Sequence, residues 1–242
     1  VIIFFKDLTD IIKVQKLKSD FVANVSHELR TPLQSIKLGL ETINNGHAAK
    51  DLESQKKILP VVLQQTSRME NIVNDLLSLS RIELQEHIRP NEKVNLNDII
   101  SHSIELHQEI LKKNNIECQF ERESKNVKIN GDRNRLIEVF NNLIDNGIKY
   151  SEKNKKITIT TKSENKSFLV TIKDQGIGIS KENIPQVTER FFRVDPAKSK
   201  EVGGTGLGLA IVKHIVNQHR AEMNISSEIN KGTEISLNFP TI

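Results

Sequence analysis

With 242 residues, the chain has room for one large or two modest domains. Its 35 Lys+Arg against 31 Asp+Glu leave a net charge of +4, with the signs mixed along the sequence, and only 4% of residues are aromatic, with no Trp. This excludes the clustered basic stripe and stacking aromatics of a nucleic-acid binder, and the single Cys118 excludes an internal disulfide or a multi-cysteine metal site.

The opening residues 1–7 (VIIFFKD) are β-rich and end at Thr9-Asp10, as a strand does before a helix N-cap. Their apolar run is far shorter than the roughly twenty residues of a membrane-spanning helix, and no signal-peptide pattern is present. The first residue is Val rather than Met, so the sequence reads as a fragment whose N-terminal part would carry any membrane anchor or sensor.

From about Asp10 to Asn45 the periodicity is helical, with Asn45-Gly46 as a stop. Val22, Val25, Leu29, Leu33, Ile36, Leu40 and Ile43 fall in one stripe at about 100° per residue. His27 lies far round the helix from it, with Thr31 one turn on, so the two share an exposed face. Pro32 is expected to bend the helix just beyond His27.

A second helix is predicted from about Asp51 to Leu84. In it Ile58, Val62, Gln65, Met69, Ile72, Leu76 and Leu79 form a heptad seam. Pro60 either kinks this helix or marks a later start. Two long helices, each with one apolar stripe, predict a hairpin that dimerises into a four-helix bundle.

After Arg89-Pro90 the pattern changes to an α/β sandwich. A helix is predicted at about 97–114, strands near 116–121 and 127–130, a helix at about 132–150, and strands near 156–163 and 168–173. The last two form an antiparallel hairpin through Asn165-Lys166. A helix at about 206–219 and strands near 222–227 and 233–239 complete the domain.

Chemistry is carried by two constellations. The first is Phe21 to Leu33, FVANVSHELRTPL, where an exposed His27 beside Glu28 can serve as a nucleophile, since imidazole is substantially neutral near pH 7 and a carboxylate can orient or deprotonate it. A lone histidine of this kind is more often a solvated surface group. The second is the Asn142 to Tyr150 helix, where Asn142 and Asn146 are one turn apart on one face. Their amide oxygens can converge on Mg²⁺, with Lys149 reaching a phosphate. An Asn-rich helix alone is more often a polar surface.

Two glycine loops follow, Asp174-Gln175-Gly176-Ile177-Gly178-Ile179 and Gly203-Gly204-Thr205-Gly206-Leu207-Gly208-Leu209. The second runs into a helix whose free N–H groups suit phosphates. Between them Glu189-Arg190-Phe191-Phe192-Arg193 would supply an aromatic plug and a cation for a lid over about 193–205.

FVANVSHELRTPL resembles the phospho-acceptor box of sensor histidine kinases. The order of acceptor box, Asn box, DQGIG, ERFFR and GGTGLG is similar to their whole catalytic core. The resemblance implies an α+β chain: the end of a PAS-like sensor domain at 1–9, a dimerisation and histidine phosphotransfer hairpin at 10–88, and at 89–242 an α/β-sandwich ATP-binding domain of the histidine kinase, Hsp90 and gyrase type. It implies phosphorylation of His27, assistance from Glu28, and a dephosphorylating water positioned by Thr31.

It further implies that ATP and Mg²⁺ are held by Asn142, Asn146, Lys149, Tyr150, Asp174, Gly176, Gly178, Ile179, Phe191, Arg193, Lys200, Gly204, Thr205, Gly206, Leu207 and Gly208, with Asp174 on the adenine amino group and Asn146 with Asn142 on the metal. The implied partners are a second copy of the chain and a response regulator receiver domain docked low on the hairpin. The implied location is the cytoplasmic portion of a protein anchored in the inner membrane through its missing part.

Arg68-Met69 and the run from Leu76 to Glu83 most resemble phosphate-regulon sensor kinases, which implies phosphate-starvation signalling. Departures from the family pattern are Gly147 where Ala is usual, Lys198 and Lys200 where lid arginines are common, and His219-Arg220-Ala221 in place of a glycine-containing turn. Simple ATP hydrolysis of the gyrase and Hsp90 kind is disfavoured, because Asn142 stands where those relatives carry a Glu general base. A third reading is a nucleotide-gated phosphatase or docking scaffold.

Overall fold

A computed structural model describes residues 9–45, 51–123, 127–152, 154–164, 166–195, 199 and 203–241. The opening strand, the stop at Gly46, the turn residue Asn165 and the lid lysines Lys198 and Lys200 lie outside the described residues. The chain divides into two compact units, one up to Asn74 and one from Asp75 on.

The first unit is built on α1 (Thr9–Asn45) and on α2 (Leu52–Leu84), whose last turns from Asp75 belong to the second unit. Asp51 starts α2 by accepting the Glu53 backbone N–H at 3.1 Å, satisfying one of the donors a helix start leaves open. Both helices run on through their prolines, Pro32 and Pro60, so Pro60 does not mark a helix start. Along α2, Ile58, Val62, Gln65, Met69 and Ile72 of the predicted seam are half-buried or buried. The α1 stripe is only partly so: Val25, Leu29, Ile36 and Ile43 turn inward, while Val22, Leu33 and Leu40 are about half exposed. A helix facing one neighbour buries only a narrow arc, so the stripe predicted as one face splits in the single chain. Gly39 marks a close approach of the helices, since a Cβ there would stand 2.6 Å from Val62 Cγ2.

In the second unit β1 (Lys93–Asn95) leads into α3 (Leu96–Leu106) and α4 (Gln108–Asn114). After β2 (Glu117–Glu121) and β3 (Lys128–Asn130) comes α5 (Arg133–Tyr150). The hairpin β4 (Lys156–Glu164) and β5 (Ser167–Lys173) precedes a short 3₁₀ turn, Ile184–Gln186. Then α6 (Gly208–Gln218), β6 (Glu222–Glu228) and β7 (Gly232–Pro240) close the fold.

The five-stranded sheet has the order β2-β4-β5-β7-β6, with β2 parallel to β4 and the other neighbours antiparallel. Register places Ile159 opposite Ile172, Val170 opposite Leu237 and Phe168 opposite Phe239, so one face of the sheet is apolar and buried. The helices α3, α5 and α6 complete that core through Ile99, Leu136, Phe140, Ile144, Ile211 and Ile215, all fully buried. Thr158, Thr160, Thr171, Ser236 and Asn238 alternate onto the other face.

Two expectations need correction. The helix predicted at 97–114 is two helices, because His107 (φ −98°, ψ 1°) leaves the α region, its N–H donating to Ile104 O and its ring Nδ1 lying 2.8 Å from Ser103 O. The ring thus competes for a carbonyl that the helix would otherwise use. The strand β1, absent from the sequence reading, pairs with β3 through Val94 opposite Ile129; with three residues it is too short to carry a period-2 signal.

Candidate functional site

Two clusters form, each within its own unit. In the first, the His27 side chain is 70% exposed, and its Nδ1 lies 4.0 Å from Glu28 Oε1. The other oxygen of Glu28, Oε2, receives Arg68 Nη2 from α2 at 3.2 Å. Glu28 and Arg68 are both largely buried, so water screens this pair little and it fixes the carboxylate beside the imidazole. Thr31 Oγ1 donates to His27 O at 3.3 Å. Pro32 has no N–H, so the Glu28 carbonyl loses its donor from position i+4 within this same turn.

The second cluster surrounds the start of α6. Asp174, just beyond β5, accepts the backbone N–H groups of Gly176 at 2.8 Å and Thr233 at 3.0 Å on the single oxygen Oδ1. Burial raises its pKa above the usual carboxylate value, opposed by those two hydrogen bonds. Its Oδ2 has no partner among the described residues, which leaves an acceptor of the kind an adenine amino group requires.

The loop after Asp174 is stitched at three points: Ile177 N–H to Tyr150 O at 3.1 Å, Ile179 N–H to Ser227 Oγ at 2.8 Å, and Asn230 N–H to Ile177 O at 2.8 Å. Gly178 has φ +69°, and a Cβ there would lie 2.0 Å from Glu228 O, so only glycine fits. A Cβ on Gly176 would likewise meet Tyr150 O at 2.5 Å.

On α5, Asn142 donates its amide to Glu138 O at 2.9 Å, and its carbonyl oxygen has no hydrogen-bond partner among the described residues. That oxygen approaches α6 so closely that a Cβ on Gly208 would sit 2.6 Å from it. Asn146 is half-buried one turn on, and Lys149 Nζ pairs with Asp145 Oδ2 at 2.6 Å.

The helix α6 starts at Gly208 without a side-chain cap, leaving first-turn N–H groups open to an anion. Just before it, Thr205 Oγ1 accepts the Leu207 N–H at 3.2 Å and donates to Asp75 Oδ2 at 2.7 Å. Phe191 (φ +63°) donates its N–H to Gly206 O at 2.8 Å, and Arg193 Nη2 donates to Thr205 O at 2.9 Å. Gly204 N–H donates to Ser199 O at 2.8 Å, and the Tyr150 hydroxyl lies 3.2 Å from Ser199 Oγ. Uncapped N–H groups, amide oxygens and a half-satisfied carboxylate form a donor set that fits a nucleotide with a hard cation.

Sequence reasoning gave no site role to Arg68 or Asp75. They sit seven residues apart, on a row with buried Ile82 that flanks the seam of α2; two charges on a row of that kind are the signal that could have found them. The structure also gives a place to His219. It is buried, its Nε2 accepting the Asp132 N–H at 3.0 Å and its Nδ1 donating to Ile215 O at 2.7 Å, so it joins the ends of α5 and α6. Arg220 follows in the left-handed region at φ +55°, which accounts for the usual glycine there. Among the described residues no helix is long and apolar enough to cross a membrane.

Comparison with known proteins finds a family match in each part of the chain. Residues 17–85 match the family model described as His Kinase A (phospho-acceptor) domain, and residues 131–242 match the Histidine kinase-, DNA gyrase B-, and HSP90-like ATPase family. The chain is 34% identical to the phosphate regulon sensor protein PhoR of Pseudomonas aeruginosa over 97% of the chain and 52% of that protein. It is 33% identical to the sensor-like histidine kinase SenX3 of Mycobacterium tuberculosis over 100% and 58%. The chain therefore spans somewhat more than half the length of these relatives. Among solved structures, Acinetobacter baumannii histidine kinase AdeS is similar with a TM-score of 0.69 and 26% identity, covering 88% of this chain and 97% of that one. With a phospho-acceptor helix pair followed by an ATPase domain of this kind, the chain belongs to the sensor histidine kinases.

Proposed function

We propose that the chain is the catalytic core of a sensor histidine kinase, moving the γ-phosphoryl of ATP onto His27 and from there to an aspartate of a response regulator receiver domain. The observation that carries this is the exposed imidazole with Glu28 at its Nδ1 side, inside a phospho-acceptor family match. Glu28 favours the tautomer with the proton on Nδ1, so the lone pair of Nε2 faces outward as the nucleophile. As the Nε2–P bond forms and the bond from phosphorus to the ADP oxygen breaks, Glu28 takes the Nδ1 proton, and Arg68 keeps that carboxylate placed.

In the second unit Asp174 Oδ2 would accept the adenine amino group, the α6 amides would hold the phosphates, and Asn142 and Asn146 would hold Mg²⁺. Mg²⁺ supplies charge neutralisation on the transferring phosphoryl. Lys149 would exchange Asp145 for a phosphate oxygen. Thr31 supports a second activity, dephosphorylation of the partner, and the half-exposed Val22, Leu33 and Leu40 support a homodimer through the hairpin. The 34% identity to PhoR supports a role in phosphate sensing, in a protein that reaches a membrane through a part other than these residues.

The test is incubation with labelled ATP and Mg²⁺. Acid-labile, alkali-stable label is expected on the chain and absent from His27→Gln. Acid-stable label, or label that survives this substitution, would remove the proposal.

A further inference from the structure

One stretch of chain, residues 75–89, is tied to α6 from end to end. Asp75 Oδ2 accepts the Thr205 hydroxyl just before the helix begins, at 2.7 Å. Glu83 ion-pairs with Arg190 and lies 3.9 Å from His214 Nε2 halfway along α6. At the far end Gln218 Nε2 donates to the carbonyls of Gln85 at 3.1 Å and Ile88 at 3.0 Å, and Arg89 Nη1 donates to those of Asn217 and Gln218, both at 3.1 Å. Three of these ties hold the body and C-terminus of the helix. Of the four, Asp75 is the tie at its N-terminus.

That position matters because a helix N-terminus attracts anions. The single hydroxyl proton of Thr205 is given to Asp75, so it is not available to another acceptor, and the Asp75 charge adds to those of Glu138 and Asp145 with Lys149 opposing them. Burial raises the Asp75 pKa, and the Thr205 hydroxyl opposes that rise, so the bond is one of the groups that sustain the carboxylate there.

We propose that Asp75 is a positioning residue that competes with the terminal phosphates of the nucleotide for Thr205 and the start of α6, so that the Asp75–Thr205 bond and a seated triphosphate exclude one another. This rests on the nucleotide reading given above. It makes the end of α2 a brake on nucleotide affinity, released by whatever withdraws Asp75 from Thr205. A ligand that can seat only where a preformed contact is open has its affinity multiplied by the fraction of molecules in which that contact is open.

The test measures binding of the β,γ-imido analogue of ATP with Mg²⁺, and separately of adenosine, to the 242-residue chain, to Asp75→Asn and to Asp75→Ala, each checked for an intact melting transition. Asp75→Asn keeps the shape and removes the charge; Asp75→Ala also removes the acceptor and serves alone should the first fail to fold. The analogue is expected to bind about fivefold or more tightly to the variants, with adenosine unchanged. Equal or weaker binding of the analogue overturns the proposal, as does an equal gain for adenosine, which would mean a generally loosened cleft. No saturable binding of the analogue to the unsubstituted chain would instead sink the nucleotide reading itself.

Discussion

Gly147 and Ile157 divide one methyl-sized space between them, and exchanging which residue fills it should be nearly free although each single change is not. Gly147 is buried in α5, and a Cβ there would stand 3.0 Å from Ile157 Cδ1 and 3.8 Å from Asp174 Cβ. Gly147→Ala gains about 1 kcal/mol of helix propensity, but pressing a methyl against a fully buried Ile157 costs about 1–3 kcal/mol, so the single variant is neutral to about 2 kcal/mol less stable. Ile157→Val removes Cδ1 and costs about 0.5–1.5 kcal/mol through the void it leaves. In the double variant the alanine methyl enters that void and the helix gain remains, so stability returns to that of the natural chain or rises by up to about 1 kcal/mol. The coupling should be about 0.5–4.5 kcal/mol, read by urea unfolding of all four proteins; each kcal/mol moves Tm by about 2–4 °C in a unit of this size. Effects that add within about 0.5 kcal/mol would refute the shared-space reasoning.

Three further outcomes are expected. Arg68→Ala leaves Glu28 without its buried partner and should slow labelling of His27 about tenfold or more, with binding of the β,γ-imido ATP analogue unchanged; a matching loss of nucleotide binding would contradict that role. Burial is the main cause holding His219 below the usual histidine pKa, so the unfolded chain takes up a proton near pH 6.5 that the folded chain refuses. Stability should then fall as pH drops below about 6.5, by at most about 1.4 kcal/mol per pH unit, and more steeply than in His219→Gln; identical pH slopes in denaturant melts would exclude this. Arg220→Gly should relieve the left-handed backbone and stabilise by about 1 kcal/mol, seen as a higher Tm; a lower one would mean the side chain contributes more than the strain.

The sequence by itself determined the helices and most strands, because the α2 seam repeats over several turns and the paired strands alternate apolar residues over seven to nine positions, long enough for period to speak. It also placed His27 opposite an apolar stripe, since spacing along a helix is a local property, while only the resemblance to a family drew Asp174, Asn146 and the glycine loops into one set. Tertiary structure alone decided which part of the α1 stripe is covered and the partners of Arg68, Asp75 and His219. Those partners lie 40 to 130 residues away, as with Arg68 to Glu28, His219 to Asp132 and Asp75 to Thr205. Local periodicity is blind to such pairings, because their free energy comes from burying a charge or ring against a group that only the folded chain brings near.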